Sequence, residues 1–385
     1  MNMKKRLGDY IKEYSVRNKR NEDIPVYSVT NTQGFCQDYF GKEVASQDKT
    51  TYKIVPRGYF AYNPSRINVG SVDWQRNEEC VIVSPLYNVF KVSPELDQQY
   101  LFYYLKSDYA LHHIRFAATG SVRDNLKLDM LKEFLIEVPT KDEQSYIVKL
   151  LDKTRDLMSH CQAELQALDN LIKARFVEMF GDMANPMCQW NRCKLVDVCA
   201  NPDDIKCGPF GTQLGKDEYT EVGVAVWEIP QINSEFKTLP THFITEEKAS
   251  LLDAYSIQSG DIAMSRKGNV GRCAVFPKDF ESGIIHSDVL RIRVNASMVA
   301  PEFMRRQLHY SGDIQHQIEL VSSGAIMAGI NVTKLKQIYI YIPPKDLQDE
   351  FVQFVAQVDK SKFAVQKALN QAQLLFDSLM QQYFG

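Results

Sequence analysis

The chain contains two copies of one pattern. Sliding its 385 residues by 204 positions aligns Gly120–Gly181 with Gly324–Gly385 without a gap, and 14 of those 62 positions are identical. The clearest stretch sets Val138-Pro139-Thr140-Lys141-Asp142-Glu143-Gln144 against Ile342-Pro343-Pro344-Lys345-Asp346-Leu347-Gln348, and the last match is Phe180-Gly181 against Phe384-Gly385. Self-similarity at a fixed offset constrains a fold before any local propensity does. The segments before these repeats agree more loosely. Leu7-Gly8-Asp9 answers Leu195-Val196-Asp197, Tyr52-x-Ile54 answers Tyr255-x-Ile257, and Asn68-Val69-Gly70 answers Asn269-Val270-Gly271. The layout is variable module, constant segment, variable module, constant segment. It predicts a pseudo-two-fold molecule whose modules read different things from one frame.

After each proline the period changes. Ile147, Leu151, Thr154, Met158, Cys161, Leu165, Leu168, Ile172, Phe176 and Met179 recur at steps of mostly four and three. Shifted by 204, the series runs Phe351, Val355, Val358, Lys362, Val365, Leu369, Ala372, Phe376, Met380 and Tyr383. A near-3.5 repeat over several heptads is a coiled-coil seam. Pro139 and Pro343 cannot lie inside such helices, and the Lys-Asp pairs that follow predict a polar helix start with an N-capping Asp. About 38 residues at a rise of ~1.5 Å each make rods of roughly 57 Å. Two-fold symmetry pairs them antiparallel, with a module at either end. Thr154 and Lys362 are weak seam positions that could fix register.

The variable modules, 1–137 and 184–341, read as mixed α/β with many short strands, such as Cys80–Ser84 and Val289–Val294. Their loops hold the polar chemistry. Asn63, Ser65, Arg66 and Asn68 share one loop in the first module; Ser265, Arg266, Lys267, Asn269 and Arg272 share its counterpart in the second. A further pair of loops brings Ser121 and Arg123 in the first module, Ser322 and Ser323 in the second. Arginine forks suit guanine edges or phosphates, asparagine suits adenine, and glycine lets a backbone approach closely. These are the candidate DNA contacts. A solvated turn is the competing role for each.

Composition bounds the alternatives. With 44% hydrophobic and 24% charged residues the chain is globular, not disordered, collagen-like or a membrane bundle. No stretch approaches the ~18 apolar residues of a membrane span, and the N-terminus lacks a signal-peptide core, so the expected setting is cytoplasmic, with eight reduced cysteines. The net charge of −3 argues mildly against a chain that coats nucleic acid alone. By segment, residues 1–135 carry 19 basic against 16 acidic side chains, and 187–341 carry 16 against 18. No phosphate-binding Gly-x-x-x-x-Gly-Lys loop, zinc-spaced Cys/His set or His-Glu-x-x-His occurs, and no catalytic constellation stands out.

The [Val/Ile]-Pro-x-Lys-Asp-x-Gln helix starts, the Gly-x10-Leu-Lys-x3-Ile run before each, the string Gly208-Pro209-Phe210-Gly211-Thr212-Gln213-Leu214 and the duplicated order together resemble the specificity subunit of Type I restriction–modification systems. The resemblance covers the whole chain. It implies an α+β molecule with two mixed α/β target recognition domains, 1–137 and 184–341, joined by two long antiparallel coiled-coil spacer helices, 138–183 and 342–385. It implies a non-catalytic subunit that reads a bipartite double-stranded DNA target, one half-site per domain, with the helices setting the gap. It implies as partners two modification (methyltransferase) subunits that carry the S-adenosylmethionine site, and restriction subunits that use ATP and Mg²⁺. This chain itself would then bind no cofactor or metal and no membrane. Two other classes remain open on the residues alone: a scaffold binding protein or peptide, and a stand-alone nuclease or methyltransferase.

Overall fold

β-Branched and aromatic runs open each half of the chain, and in both halves they pair into the same sheet. The computed structural model describes residues 4–37, 48–118, 125–181, 183, 188–322 and 329–385. They fall into two units, Met1–Ala163 with Gln366–Gly385, and Glu164–Val365.

In the first unit an antiparallel four-stranded sheet has the order Ile11–Glu13, Asn88–Val92, Phe60–Tyr62, Val72–Trp74. The register sets Phe60 against Phe90 and Trp74, with the two phenyl rings stacked at 5.1 Å. The side-chain period of two sorts this sheet onto two cores. Phe60, Tyr62 and Phe90 face one, while Ala61 and Val89 face the other. Helices α1 (Gln98–Lys106), α2 (Asp108–Ala118) and α3 (Leu128–Lys132) cover the first face. Asp97 caps α1 by accepting from the amides of Gln99 and Tyr100. The first long helix, α4 (Lys141–Phe180), follows.

The second unit repeats the arrangement. Its strands run Ile205–Cys207, Val289–Ile292, Ile262–Ser265, Cys273–Val275 in the same order and the same antiparallel sense, with Ile262 set against Ile292 and Val275. Ile262, Met264, Leu290 and Ile292 face one core, while Ala263 and Val289 face the other. The second copy carries a mixed sheet, His242–Ile244, Val224–Trp227, Gly283–Ile285, Ser256–Ile257, whose two middle strands are parallel; in the first copy the antiparallel pair Lys53–Pro56 and Cys80–Val83 has a parallel bridge from Val26 to Ile82. Helices α5 (Ile229–Asn233), α6 (Glu246–Leu251), α7 (Pro301–Tyr310), α8 (Gly312–Ser322) and α9 (Val332–Leu335) lead to the second long helix, α10 (Lys345–Phe384).

The long helices begin differently from the expectation of an Asp cap. At α4 the cap is Thr140, whose backbone amide and hydroxyl both donate to Glu143 Oε2, at 2.9 and 2.8 Å. The helix therefore starts at Lys141, and Asp142 lies within its first turn, where a carboxylate favours the helix dipole but caps nothing. At α10 Pro344 precedes the first helical residue and Asp346 is likewise inside the first turn.

Each unit holds part of both long helices. In the first, Ile147 and Leu151 of α4 share a core with Leu379 and Phe384 of α10 and with Tyr100 and Leu101 of α1. In the second, Ile172, Phe176 and Phe180 share a core with Phe351, Val355 and Val358 and with Phe303 and Met304 of α7. Here Asp169 meets Lys362 at 2.6 Å and Arg175 meets Glu350 at 2.9 Å, so α10 descends as α4 ascends, and the pairing is antiparallel. Met158, Leu165, Leu168, Val365, Leu369 and Phe376 are half-buried. The two polar seam positions are both satisfied: Thr154 donates to the Leu150 carbonyl in its own helix, and Lys362 is neutralised by Asp169 on the other.

Candidate nucleic-acid interface

The sheet strand Phe60–Tyr62 ends in the loop that carries the first module's candidates. Asn63 organises it. Its side-chain oxygen accepts from the amide and hydroxyl of Ser65, at 3.1 and 2.9 Å, and its carbonyl accepts from the amides of Arg66 and Ile67. Ile67, with no exposed surface, plugs the loop onto the core. Gly70 closes it at φ +87°, a backbone conformation that a Cβ resists. Arg66 stays exposed and makes no side-chain hydrogen bond or ion pair among the described residues. Asn68 turns its carbonyl to Arg115 of α2, at 3.2 Å. Asn63, Ser65, Arg66 and Asn68, together with Ser28, Asn31 and Thr32 from the antiparallel hairpin of Ser28–Thr30 and Gly34–Cys36, line a concavity of about 740 Å³. It offers amides, hydroxyls and one free guanidinium, the donor and acceptor set that base edges and phosphates match.

The counterpart loop leaves the equivalent strand, Ile262–Ser265, and Gly271 closes it at φ +81°. Its side chains are deployed differently. Arg266 is half-buried: Nε donates to the Ile330 carbonyl at 3.2 Å and the guanidinium lies 4.8 Å over the Phe210 ring. Lys267 pairs with Asp288 at 2.9 Å, and Arg272 donates to the Asn233 carbonyl at 3.1 Å. Asn269 is exposed. Phe210, from the loop after Ile205–Cys207, keeps almost half its surface in solvent beside Arg266. The second module thus presents a stacked aromatic–guanidinium pair and a Lys–Asp pair where the first presents amides and hydroxyls.

Two of the predicted contacts are corrected. Ser265 has no exposed surface, because it is still within the sheet when the loop begins. Ser322 is buried at the end of α8, its hydroxyl donated to the Ile318 carbonyl one turn back. Neither side chain is open to a ligand in this structure. Ser121, Arg123 and Ser323 lie outside the described residues.

Asn31, Phe210, Asp288 and Arg115 belong to this neighbourhood but were not among the predicted contacts. Phe210 has a signal, since its Gly-Pro-Phe-Gly-Thr-Gln-Leu string is one of the motifs that carry the family resemblance. The other three reach the site from two turns and a helix, and no local pattern marks them.

A buried thiol–imidazole pair among the described residues does not make a nucleophile. Cys273 Sγ lies 3.3 Å from His309 Nε2, but burial pushes the thiol up to about 12. Burial, reinforced by Arg305, Arg272 and Arg306, holds the imidazole down to about 4. Both are neutral, whereas an activated pair needs a thiolate beside a base that can take its proton. Among the described residues no cluster of His, Cys, Asp and Glu is placed to hold a metal ion, and no helix is long and apolar enough to cross a membrane.

Twin sheets carrying divergent polar loops, each packed on both of a pair of antiparallel helices, define a duplicated recognition protein. Residues 5–167 and 189–373 both match the family described as Type I restriction modification DNA specificity domain. The chain belongs to that family, and its role is DNA sequence recognition within a restriction–modification system. Two solved structures share the fold. One is reported under complex assembly and conformational transition of the type I R-M system; it has 16% identity and a TM-score of 0.59, with 99% of this chain and 97% of that one covered. The other is the Type I restriction–modification S subunit from M. genitalium, with 14% identity and a TM-score of 0.58, covering 100% and 96%.

Proposed function

We propose that the chain reads a split double-stranded DNA target, one half-site through each module, and that α4 and α10 set the unspecified gap between the halves. One observation carries this reading: the same sheet, followed by the same glycine-closed loop, occurs twice with different side chains. Asn63, Ser65, Arg66 and Asn68 face the first half-site. Phe210, Arg266, Lys267, Asn269 and Arg272 face the second. Two modification subunits dock on the chain, and the exposed apolar side chains of the long helices, among them Leu157, Leu171, Phe363 and Leu374, give such partners a surface to cover. Restriction subunits join that assembly in the cytoplasm. S-adenosylmethionine, ATP and Mg²⁺ belong to these partners, and this chain is non-catalytic. Its net charge of −3 fits a subunit that supplies sequence while its partners supply much of the electrostatic grip.

Binding of the chain with its modification subunits to duplex DNA, measured across a salt series, tests this reading. Phosphate contacts require log affinity to fall linearly with log salt. Affinity that is flat in salt, or equal for DNA with and without the target, favours the protein-binding scaffold instead.

A further inference from the structure

We infer that Lys106, which none of the sequence patterns marks, is a positioning residue for half-site recognition by the first module: it locks two reading loops to one another and does not itself grip DNA. The inference rests on the reading of the Asn63–Gly70 loop as a DNA-reading element.

A lysine in the last turn of a helix beside a DNA-reading surface would ordinarily be assigned to phosphate. The geometry here points elsewhere. Lys106 Nζ donates to the Asn31 carbonyl at 3.0 Å, to the Asn31 side-chain oxygen at 3.2 Å and to the Gly70 carbonyl. An ammonium has three N–H donors, so all three are taken. The acceptors come from two different loops, the turn after Ser28–Thr30 and the end of Ile67–Val69, which lie 75 and 36 residues from Lys106 in sequence. No carboxylate is in ion-pair contact with this lysine among the described residues, and the Phe102 ring lies 5.6 Å from its ammonium. Burial lowers the affinity of the amine for its proton, opposed by the charge of Asp73, and the two carbonyls and the amide oxygen take its three N–H groups.

The junction is also sterically closed. A Cβ at Gly70 would lie 2.7 Å from Asn31 Oδ1 and 3.5 Å from Lys106 Nζ, at a φ of +87° that side chains avoid. The turn of one loop therefore fits against the amide of the other with the ammonium between them. Asn31 and Asn68, on the two sides of this junction, both line the same concavity. Their relative placement is what discriminates a base edge, since a bidentate contact tolerates little displacement. Fixing both loops from behind with one cation sets that placement before DNA arrives.

The test uses Lys106→Met in the complex with modification subunits, on duplexes carrying the target or a single-base change in either half-site. The expected result is a roughly tenfold fall in discrimination at the first half-site only. Discrimination at the second half-site and the salt slope stay as in wild type. A phosphate-gripping lysine gives a different signature: uniform weakening, with the salt slope reduced by about 1. That signature, or wild-type discrimination at both half-sites, overturns the inference. Gly70→Ala strains the same junction without removing charge, and decides the matter if Lys106→Met does not assemble; it too must relax the first half-site alone. Arg66→Ala in parallel separates the two readings. If Arg66→Ala alters first-half discrimination and Lys106→Met does not, the positioning role fails alone. If neither does, the assignment of the loop fails with it.

Discussion

Gln144 and Gln348, 204 residues apart, make the same three hydrogen bonds in the two units, and neither has any exposed surface. Gln144 accepts from the Asp97 amide at 2.7 Å and donates to the Glu95 and Pro139 carbonyls at 3.0 and 2.8 Å. Gln348 accepts from the Ala300 amide at 2.9 Å and donates to the Met298 and Pro343 carbonyls at 3.2 and 2.8 Å. Asp97 and Ala300 are the N-cap residues of α1 and α7. The glutamine of each Pro-x-Lys-Asp-x-Gln motif thus ties the start of a long helix to the first helix of the module's covering layer. Its backbone partners would otherwise be left buried and unpaired.

Replacing either glutamine by alanine should cost about 2–4 kcal/mol, because one amide and two carbonyls lose their partner in a dry site. Glutamate should be no better, since it cannot donate to the carbonyls. Urea unfolding of the single variants checks this. Losses of similar size are expected from Gln144→Ala and Gln348→Ala, and the structural equivalence fails if one of the two proves silent.

The two arginines of the reading loops should separate in their effects. Arg66 makes no side-chain bond within the described protein, so Arg66→Ala should change stability by no more than about 0.5 kcal/mol while weakening or relaxing the first half-site. Arg266 also holds the Ile330 carbonyl and stacks on Phe210, so Arg266→Ala should relax the second half-site and cost about 1–2 kcal/mol of stability as well. Melting temperatures paired with half-site discrimination distinguish these outcomes.

His309 makes the second unit acid-sensitive. Its imidazole accepts from the Cys273 amide at 3.1 Å, and its folded-state value of about 4 lies below the ordinary 6.5. The unfolded chain therefore binds the proton more readily. The stabilisation is fully present above pH 6.5 and is lost as pH falls from 6.5 toward 4, by up to about 3 kcal/mol. Thermal melts across that window should show the decline, and His309→Gln, which keeps an acceptor but cannot titrate, should flatten it.

Much of this architecture was legible in the sequence because its determinants are periodic or duplicated. The gapless 204-residue repeat, the 3.5-residue seam and the prolines at 139 and 343 each report a long-range constraint through local pattern. The sequence points to Asp142 rather than Thr140 as the cap because Thr-x-x-Glu and Lys-Asp overlap, and only the Glu143 hydrogen bonds distinguish them. The reading loops were found, but not which of their side chains are free. Ser265 and Ser322 look like Arg66 and Asn269 in composition, and their burial is decided by where a strand or helix stops. Lys106 could not be found at all, since its partners are three dozen and more residues away.

Removing one heptad from each long helix shortens the pair by about 10 Å, close to three base-pair steps at ~3.4 Å. The gap in the recognised sequence should shrink accordingly while both half-sites keep their bases, as read from the modified sites of a host carrying the shortened chain.

The central claim is that one chain reads two half-sites. Sequencing all methylated positions in the DNA of a host that expresses this chain with its modification subunits tests it most directly. The account predicts one motif made of two short specified halves separated by a fixed run of unspecified bases, with the first half altered by Arg66→Ala and the second by Arg266→Ala. A single uninterrupted motif, or methylation that does not change when the chain is withheld, would contradict it.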